Sequence, residues 1–148
     1  MNYDQILNTI DEEFLERARK MIAEGRHVLY YVCCSPAKPN TFIGSDPDDA
    51  FWLPVFAAAK GLSGFARWTI DSFPEDAMTD ATYSCWPSGD TFLVYPNADP
   101  SWRYLGLLNG YQNGEKWRIL KAEGGAKAAE LDRLAVRYDA KSAMKKKD

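Results

Sequence analysis

Aromatic and acidic side chains gather within residues 64–96. In this stretch an apolar run ends near Trp68 and is followed by Asp71, while Trp86 precedes a second apolar run that ends at Tyr95. Indole and phenol rings can stack on the apolar face of a sugar ring, and a carboxylate accepts hydrogen bonds from sugar hydroxyl groups. We therefore expect these four side chains to form part of a carbohydrate-binding surface.

Hydrolysis of a glycosidic bond is the chemistry that carboxyl groups in such a surface could perform, and it normally needs two of them. Asp71 together with Glu75 or Asp76 could supply the pair, and the chain would then be a complete small enzyme. Asp71 also has a structural alternative, because Asp often caps a loop or a helix through its side chain. The residue types alone leave both roles open.

The other side chains of this stretch have structural alternatives as well. Trp68 and Tyr31 could fill the core, and Trp86 could anchor a loop. Arg67 lies in an apolar run, so we expect it to pair with a carboxylate in a buried ion pair. Asp90 follows Ser and Gly, which is typical of a turn.

Cysteine and histidine usage excludes several other kinds of site. The chain has three cysteines, Cys33, Cys34 and Cys85, and one histidine, His27. An odd number with one adjacent pair is not a disulfide framework, and the spacing is not that of a zinc site. Glycine-rich phosphate-binding loops are also absent from the sequence. We predict no metal and no cofactor.

Length and charge limit the class of protein. The 148 residues are enough for one domain. The net charge of −3 and the pI near 5.2 argue against nucleic acid as a partner. No apolar run approaches the roughly 18 residues that a membrane span needs, and the acidic N-terminal stretch is not a signal peptide. We predict no membrane partner, and the sequence assigns no compartment.

Two helix–strand units open the chain. Apolar residues recur at helical spacing over 3–24, and Gly25 is placed to end that helix. The continuous apolar run over 27–34 is typical of a strand covered on both faces. A helix that begins at an Asp-Pro cap is predicted over 45–61, and a second strand over 64–70. This order predicts a parallel sheet with flanking helices.

A third parallel strand is predicted over 91–96. The connection before it, residues 71–90, lacks helical periodicity, and long ordered loops of this kind are usually functional. A helix is predicted over 102–122, followed by a C-terminal helix and a frayed basic tail over 126–148. The whole chain is then a single α/β domain.

Three parallel strands leave two sheet edges without partners. A closed (β/α)8 barrel takes about 250 residues, so this chain would supply about the C-terminal half of one. We therefore predict a partial (β/α)8 barrel. Its edges require one of three arrangements: a missing N-terminal half-barrel in a longer protein, pairing with another copy in a homo-oligomer, or coverage by the chain's own helices.

Five runs resemble, in the same order, the last third of glycoside hydrolase family 123. The resemblance spans about residues 25–121; residues 1–24 fit the preceding barrel helix, and residues 126–148 match nothing in the family. The runs are YVCCSP at 31–36, PNTFI at 39–43, GFARW at 64–68, WPSGDTFLVYP at 86–96 and GYQNGEKWRIL at 110–120.

The family consists of bacterial β-N-acetylgalactosaminidase-like proteins, many of them described only as a domain of unknown function. The resemblance implies a (β/α)8 barrel and retaining hydrolysis assisted by the substrate, which is an exception to two-carboxylate hydrolysis. In this mechanism the 2-acetamido oxygen of the sugar attacks its own anomeric carbon. One carboxylate steadies the acetamido nitrogen, and an adjacent Glu acts as acid and base.

In the family the adjacent Asp-Glu pair ends a mid-barrel strand, which would lie upstream of the residues present here. An Asp and a Glu are adjacent in this chain at Asp11-Glu12 and at Glu75-Asp76. Neither pair ends a predicted strand, and Asp11-Glu12 falls inside the first predicted helix. We therefore assign no catalytic residue.

The resemblance does imply a wall of the sugar site, because barrel enzymes bind their substrates at the C-terminal ends of the strands. The family usually has Asn near position 71 and Trp two residues later, whereas this chain has Asp71 and Phe73. The identity of the bound sugar is therefore left open. The implied substrate-binding residues for an N-acetylhexosamine are Tyr31, Trp68, Asp71, Trp86 and Tyr95.

Two functions from different classes follow from these observations. The first is the C-terminal portion of a family-123-like glycoside hydrolase, which contributes part of an N-acetylhexosamine site and is inactive alone. The alternative is a stand-alone, non-catalytic carbohydrate-binding or scaffold module. Carbohydrate is the expected partner of the first and of any binding module.

Overall fold

The computed structural model describes residues 10–34, 37–83 and 85–137, and it has the mixed helix and strand content that the sequence predicts. No helix in these three ranges is both long and apolar enough to span a membrane. In chain order, the elements are α1 (Glu12–Ala23), β1 (Leu29–Tyr31), α2 (Pro47–Ala59), β2 (Gly64–Ala66), β3 (Val94–Tyr95), a short 3-10 turn (Pro96–Ala98), β4 (Asp99–Pro100), α3 (Trp102–Glu123) and α4 (Gly125–Arg137).

Strands β1 and β2 form a parallel pair in which Leu29 lies opposite Gly64. Helix α2 is the crossover between them, as the helix–strand order predicts. Both strands are three residues long, which is shorter than the predicted runs. Beyond β1, the carbonyl oxygen of Val32 accepts a 2.9 Å hydrogen bond from the Arg67 side chain. A side chain therefore takes the place that a backbone amide would have in a longer ladder.

The prediction of a third parallel strand over 91–96 is wrong. Strand β3 pairs antiparallel with β4, and an isolated antiparallel bridge joins Asp71 to Phe92. Residues 71–83 and 85–90 form turns, bends and bridges rather than a helix. A parallel return normally needs a helical crossover. Without one, the chain folds back and returns in the opposite direction.

Helix α1 begins later than predicted. The side chain of Asp11 accepts a 2.8 Å hydrogen bond from the amide of Phe14, so Asp11 is the N-cap and Glu12 the first helical residue. In the pair Asp11-Glu12, Asp11 therefore caps the helix and only Glu12 lies within it, and residues 1–9 fall outside the described part of the chain. The other end is as predicted, because Gly25 follows the helix with a φ of 83°, a left-handed conformation that favours glycine.

Helices α2 and α3 pack closely through small residues, and Gly106, Gly110 and Gly114 of α3 recur every four positions along this contact. A Cβ added at Gly110 would lie 2.2 Å from the carbonyl oxygen of Phe51 and 2.6 Å from Cγ of Pro54. Glycine inside a helix costs about 1 kcal/mol relative to alanine. Here it allows two backbones to approach more closely than any side chain would permit.

Helix α3 has nearly the predicted bounds. Its N-cap is Ser101, whose hydroxyl accepts a 3.2 Å hydrogen bond from the amide of Tyr104. Gly124, with a φ of 73°, lies between α3 and α4, and Gly125, with a φ of 80°, is the first residue of α4. Helix α4 is described as far as Arg137, and residues 138–148, which include the predicted frayed basic tail, lie outside the described residues.

The core lies between the helices and one face of the β1–β2 pair. Tyr30 points into it, since its hydroxyl donates to the carbonyl of Leu53 on α2 and its ring centroid lies 5.2 Å from that of Phe65. Neighbouring side chains of a strand point to opposite faces. Accordingly Leu29 and Tyr31 are 53% and 58% exposed on the face away from α2.

Candidate functional site

Two segments, residues 67–73 and 85–92, follow β2 and precede β3, and we call them together the rim. The rim brings two of the predicted site residues into contact. The ring centroids of Trp68 and Trp86 lie 5.1 Å apart, and the ring planes are tilted by 53°. Trp68 is 43% exposed and Trp86 is half-buried, so the pair forms an accessible aromatic surface.

Local geometry holds Trp86 in a tight turn. Its amide donates a 3.2 Å hydrogen bond to the carbonyl of Tyr83. Three residues later, Gly89 has a φ of 76°, and a Cβ added there would lie 2.7 Å from the guanidinium of Arg103. Both the backbone conformation and the lack of space therefore require glycine in the WPSGD sequence.

A buried ion pair joins the two segments of the rim beside the aromatic pair. Nη2 of Arg67 lies 2.5 Å from Oδ1 of Asp90, and the two side chains are 4% and 0% exposed. Arg67 also donates to the backbone carbonyls of Asp90 and Val32. The predicted buried ion pair of Arg67 is confirmed, and its partner is the residue that the sequence assigned to a turn.

A second buried arginine, Arg103, reaches the rim from the first turn of α3. Its Nη1 donates to the carbonyls of Thr41 at 2.7 Å and of Gly89 at 2.6 Å. Its guanidinium carbon lies 5.4 Å from the centroid of the Phe92 ring. Burial lowers the pKa of Arg103, and a hydrogen bond and favourable charge interaction with Tyr95 act in the opposite direction.

The sequence suggested a structural pair between Arg103 and Glu115, but Glu115 pairs with Arg118 instead. It did not single out Asn40, which is fully buried. Nδ2 of Asn40 donates to the carbonyl of Cys33 at 2.7 Å, and its Oδ1 accepts from the amide of Thr41 at 2.7 Å. Asn40 therefore ties the loop after β1 to the end of that strand. One signal could have shown that Arg103 is buried, because it shares a helical face with Leu107 and so falls on the buried side of α3.

The two predicted tyrosines lie in different places. Tyr31 ends β1 with an exposed ring. Tyr95 belongs to the antiparallel strand β3, and its ring meets that of Phe92 edge-on at 5.2 Å. The expectation that Tyr95 follows the end of a strand parallel to β2 is therefore wrong. Among the described residues of the rim and β3, the aromatic contacts form two groups: Phe73, Phe92 and Tyr95 in one, and Trp68 with Trp86 in the other.

The carboxylates of the rim and of the following loop have different surroundings. Asp71 is exposed, and its backbone forms the bridge to Phe92. The carboxylate of Asp76 accepts a hydrogen bond from the hydroxyl of Thr79, and its carbonyl accepts the Thr79 amide at 3.1 Å. Asp76 therefore shapes a turn, which is the structural alternative to a catalytic role, and Glu75 beside it is exposed.

Two adjacent thiols lie at the end of β1. The Sγ atoms of Cys33 and Cys34 are 3.7 Å apart, and both cysteines are free. Burial raises the pKa of the Cys34 thiol, and the neighbouring Cys33 and the charge of Asp90 raise it further. The end of β1 lies next to the rim, because Arg67 donates to both the carbonyl of Val32 and the carboxylate of Asp90.

The catalytic domain of glycoside hydrolase 123 matches residues 3–120, which is most of the chain. The chain belongs to glycoside hydrolase family 123. The resemblance seen in the sequence is thereby confirmed. No curated protein matches the chain.

A solved structure of a family 123 glycoside hydrolase from Clostridium perfringens, studied for glycolipid glycan hydrolysis, is similar to this chain with a TM-score of 0.75. The two sequences are 22% identical, so this likeness shows the fold. The match covers 83% of this chain and 22% of that chain. The family 123 chain described here therefore spans about a fifth of the length of this relative.

The rim gives this family 123 chain two kinds of accessible group. The indole pair offers apolar surface for stacking, and the exposed carboxylate of Asp71 can accept hydrogen bonds. The charges of Arg67 and Asp90, by contrast, are buried away from solvent. Within the described ranges, no group of three His, Cys, Asp or Glu is placed to hold a metal ion.

Proposed function

We propose that this chain is the C-terminal portion of a family 123 catalytic domain, forming about half of a (β/α)8 barrel. It provides one wall of an N-acetylhexosamine-binding site and is inactive alone. In the full site the sugar undergoes retaining hydrolysis assisted by its own acetamido group, and the catalytic carboxylates come from chain outside these residues. The contact between Trp68 and Trp86 is the observation that carries this proposal.

The shape of the aromatic pair supports a sugar as its ligand. The ring planes of Trp68 and Trp86 are tilted by 53° to each other and do not stack flat. The two rings therefore form an angled surface, and one pyranose ring can contact both of them. Trp68 remains 43% exposed, although an indole gains free energy from burial. An exposed ring held in a fixed position is suited to a ligand with an apolar face and polar rims.

The position of the pair supports the same proposal. Trp68 lies two residues beyond the C-terminal end of β2, which is parallel to β1. Ligands of parallel α/β sheets bind outside the carboxyl ends of the strands. Tyr31 ends β1 at the same edge of the sheet, so it is the next substrate contact that we propose. Asp71, whose backbone bridges to Phe92, and Tyr95, whose ring contacts that of Phe92, complete the proposed set.

Inactivity of the chain alone is supported by the roles of its adjacent acidic pairs. Asp11 caps α1, and Glu12 is the first residue of that helix. Asp76 is engaged in a turn with Thr79. Neither pair therefore ends a strand in the way that a barrel active site requires.

A sugar titration of the chain tests the binding half of the proposal. Free N-acetylgalactosamine and N-acetylglucosamine are titrated separately and followed by NMR shifts of the indole N–H groups. We expect a dissociation constant on the order of 1 mM for at least one sugar, which corresponds to about 4 kcal/mol of binding free energy. Trp68→Ala should abolish the shifts at the Trp86 indole.

Trp102→Ala is the matched control, because Trp102 is also 43% exposed but lies at the start of α3. It should leave the titration unchanged. Absence of binding to both sugars would favour the scaffold alternative, since a scaffold has no need of an accessible ring pair. A chromogenic N-acetyl-β-galactosaminide tests inactivity: turnover that disappears in Asp71→Asn would mean that the chain is a complete enzyme.

A further inference from the structure

The contact between Trp68 and Trp86 joins two segments that have no regular secondary structure at those positions. Trp68 lies beyond the end of β2, and Trp86 lies in a turn. Backbone pairing between the segments occurs further along, where the amide of Leu93 donates to the carbonyl of Ile70 at 2.7 Å. The ring positions therefore depend on side-chain contacts nearer to the rings.

Arg67 makes such a contact directly beside Trp68. Its Nη1 donates to the carbonyl of Val32 at the end of β1, and its Nη2 donates to both the carbonyl and the carboxylate of Asp90. One planar guanidinium thus fixes three chain segments at once. A lysine keeps the charge but lacks the rigid fork of donors that this arrangement uses.

The turn that carries Trp86 is held from its other side by the second arginine. Arg103 donates to the carbonyl of Gly89, one residue before Asp90, and to the carbonyl of Thr41. Arg103 thus anchors the turn to the rest of the domain. Because Asp90 lies in this anchored turn, its ion pair with Arg67 holds the neighbouring Trp68 at a fixed distance from Trp86. The pair itself is 4% and 0% exposed, so it is not a surface for ligand.

We propose that Arg67 and Asp90 are positioning residues, which set the distance and tilt of the Trp68–Trp86 pair and thereby the affinity of the site for sugar. The part of this inference that concerns sugar rests on the proposed function. The part that concerns ring geometry stands without it. The ion pair acts through the aromatic rings and does not touch the substrate.

The experiment measures the exciton-coupled far-ultraviolet circular dichroism of the two indoles, a signal that depends on their distance and angle. Trp68→Phe and Trp86→Phe identify this signal, because either change removes one of the coupled rings. Arg67→Lys and Asp90→Asn are then measured at equal folded fraction. We expect each to lose at least about half of the signal, because the rings shift once the rigid, charge-assisted fork between Arg67 and Asp90 is lost.

Arg118→Lys is the matched control. Arg118 also donates to two backbone carbonyls, those of Leu62 and Ser63, but it does so at the opposite end of β2. It should keep the full exciton signal. A signal that stays at the control level in both Arg67→Lys and Asp90→Asn would overturn the proposal. Loss of the fold in both variants would also overturn it, because the pair would then maintain the domain rather than position the rings.

The sugar titration separates this inference from the function on which it rests. We expect Arg67→Lys to raise the dissociation constant about tenfold, which corresponds to one charge-assisted contact, with no change in Arg118→Lys. If the wild-type chain binds neither sugar while the exciton signal falls as expected, the proposed function fails and the positioning of the rings stands. If the wild type binds but Arg67→Lys binds equally well, the positioning role in recognition is wrong.

Discussion

In the contact between α2 and α3, Gly110 lies against the carbonyl of Phe51 and the ring of Pro54, so backbone and small apolar groups meet directly. At the rim, by contrast, the guanidinium groups of Arg67 and Arg103 reach buried carbonyl oxygens of distant segments. The glycine contact and these guanidinium groups are all buried. The first is held by shape, and the second by charge and hydrogen bonding.

This difference determines which substitutions each region can tolerate. A contact held by shape fails when atoms are added, because protein interiors are close-packed and side chains cannot move aside without strain. A contact held by buried charge fails when a partner is removed, because the remaining charge is then left without compensation. The two regions should therefore respond in opposite ways to enlargement and truncation.

The largest effect that we expect is from Asp90→Ala. It removes the carboxylate partner of Arg67 and leaves the guanidinium buried at 4% exposure. Breaking a buried ion pair in this way costs about 3–5 kcal/mol. Chemical denaturation of the chain, analysed for the free energy of unfolding, measures the loss.

Glu115→Ala is the control for that prediction, since it breaks the pair between Glu115 and Arg118 on the surface of α3. Exposed pairs of this kind contribute about 0–1 kcal/mol. A loss in Asp90→Ala as small as the loss in Glu115→Ala would show that the rim does not depend on charge. The comparison between the two regions would then fail.

The next effect comes from the helix contact. Gly110→Ala adds a Cβ that would lie 2.2 Å from the carbonyl oxygen of Phe51. The backbone must shift, and overpacking of this kind destabilises by about 1–3 kcal/mol, with this case at the upper end because the obstacle is backbone. The free energy of unfolding again provides the measurement.

Gly114→Ala makes the same change one turn later along α3. There the added Cβ would lie 3.4 Å from Cβ of Ala58, close to ordinary van der Waals contact. The helix propensity of alanine gains about 1 kcal/mol over glycine, so we expect this variant to be neutral or slightly stabilised. Equal effects at Gly110 and Gly114 would mean that helix propensity, and not close approach, decides the stability of this contact.

The sequence predicted the parts of the fold that depend on neighbouring residues. The Asp46-Pro47 start of α2 and the Gly25 end of α1 are local signals, and both are confirmed. The direction of the chain at 91–96 was predicted wrongly because it depends on the bridge between Asp71 and Phe92. Hydrophobic pattern identifies a strand but does not contain its direction.

The candidate site shows the same division. Trp68 and Trp86 were predicted on one surface from the two apolar runs that flank them, and they are in contact. The need of Arg67 for a carboxylate was also predicted, because a buried charge requires a partner. Which carboxylate it is could not be predicted, since Asp90 lies 23 positions away. Arg103 reaches Thr41 across 62 positions, and this partner could not be predicted for the same reason.

The smallest effect that we expect is on the alkylation rate of Cys34, and it tests whether the charge of Asp90 in the rim acts on the end of β1. The pKa of Cys34 is raised by burial, by the adjacent Cys33 thiol and by the carboxylate of Asp90. Only the thiolate reacts with iodoacetamide, so a raised pKa leaves less reactive thiolate at a fixed pH, and the rate should climb as the pH rises through the pKa.

Cys33→Ser removes one cause of the raised pKa, and Asp90→Asn removes another, so each should accelerate alkylation of Cys34 at about pH 8. Peptide mapping by mass spectrometry gives the rate at each cysteine, and Cys85 serves as the internal control for reagent and folding. Acceleration in Cys33→Ser alone would confine the effect to the two adjacent thiols. Acceleration in both variants, with Cys85 unchanged, would extend the region held by charge from the rim to the end of β1, where Arg67 already binds the carbonyl of Val32.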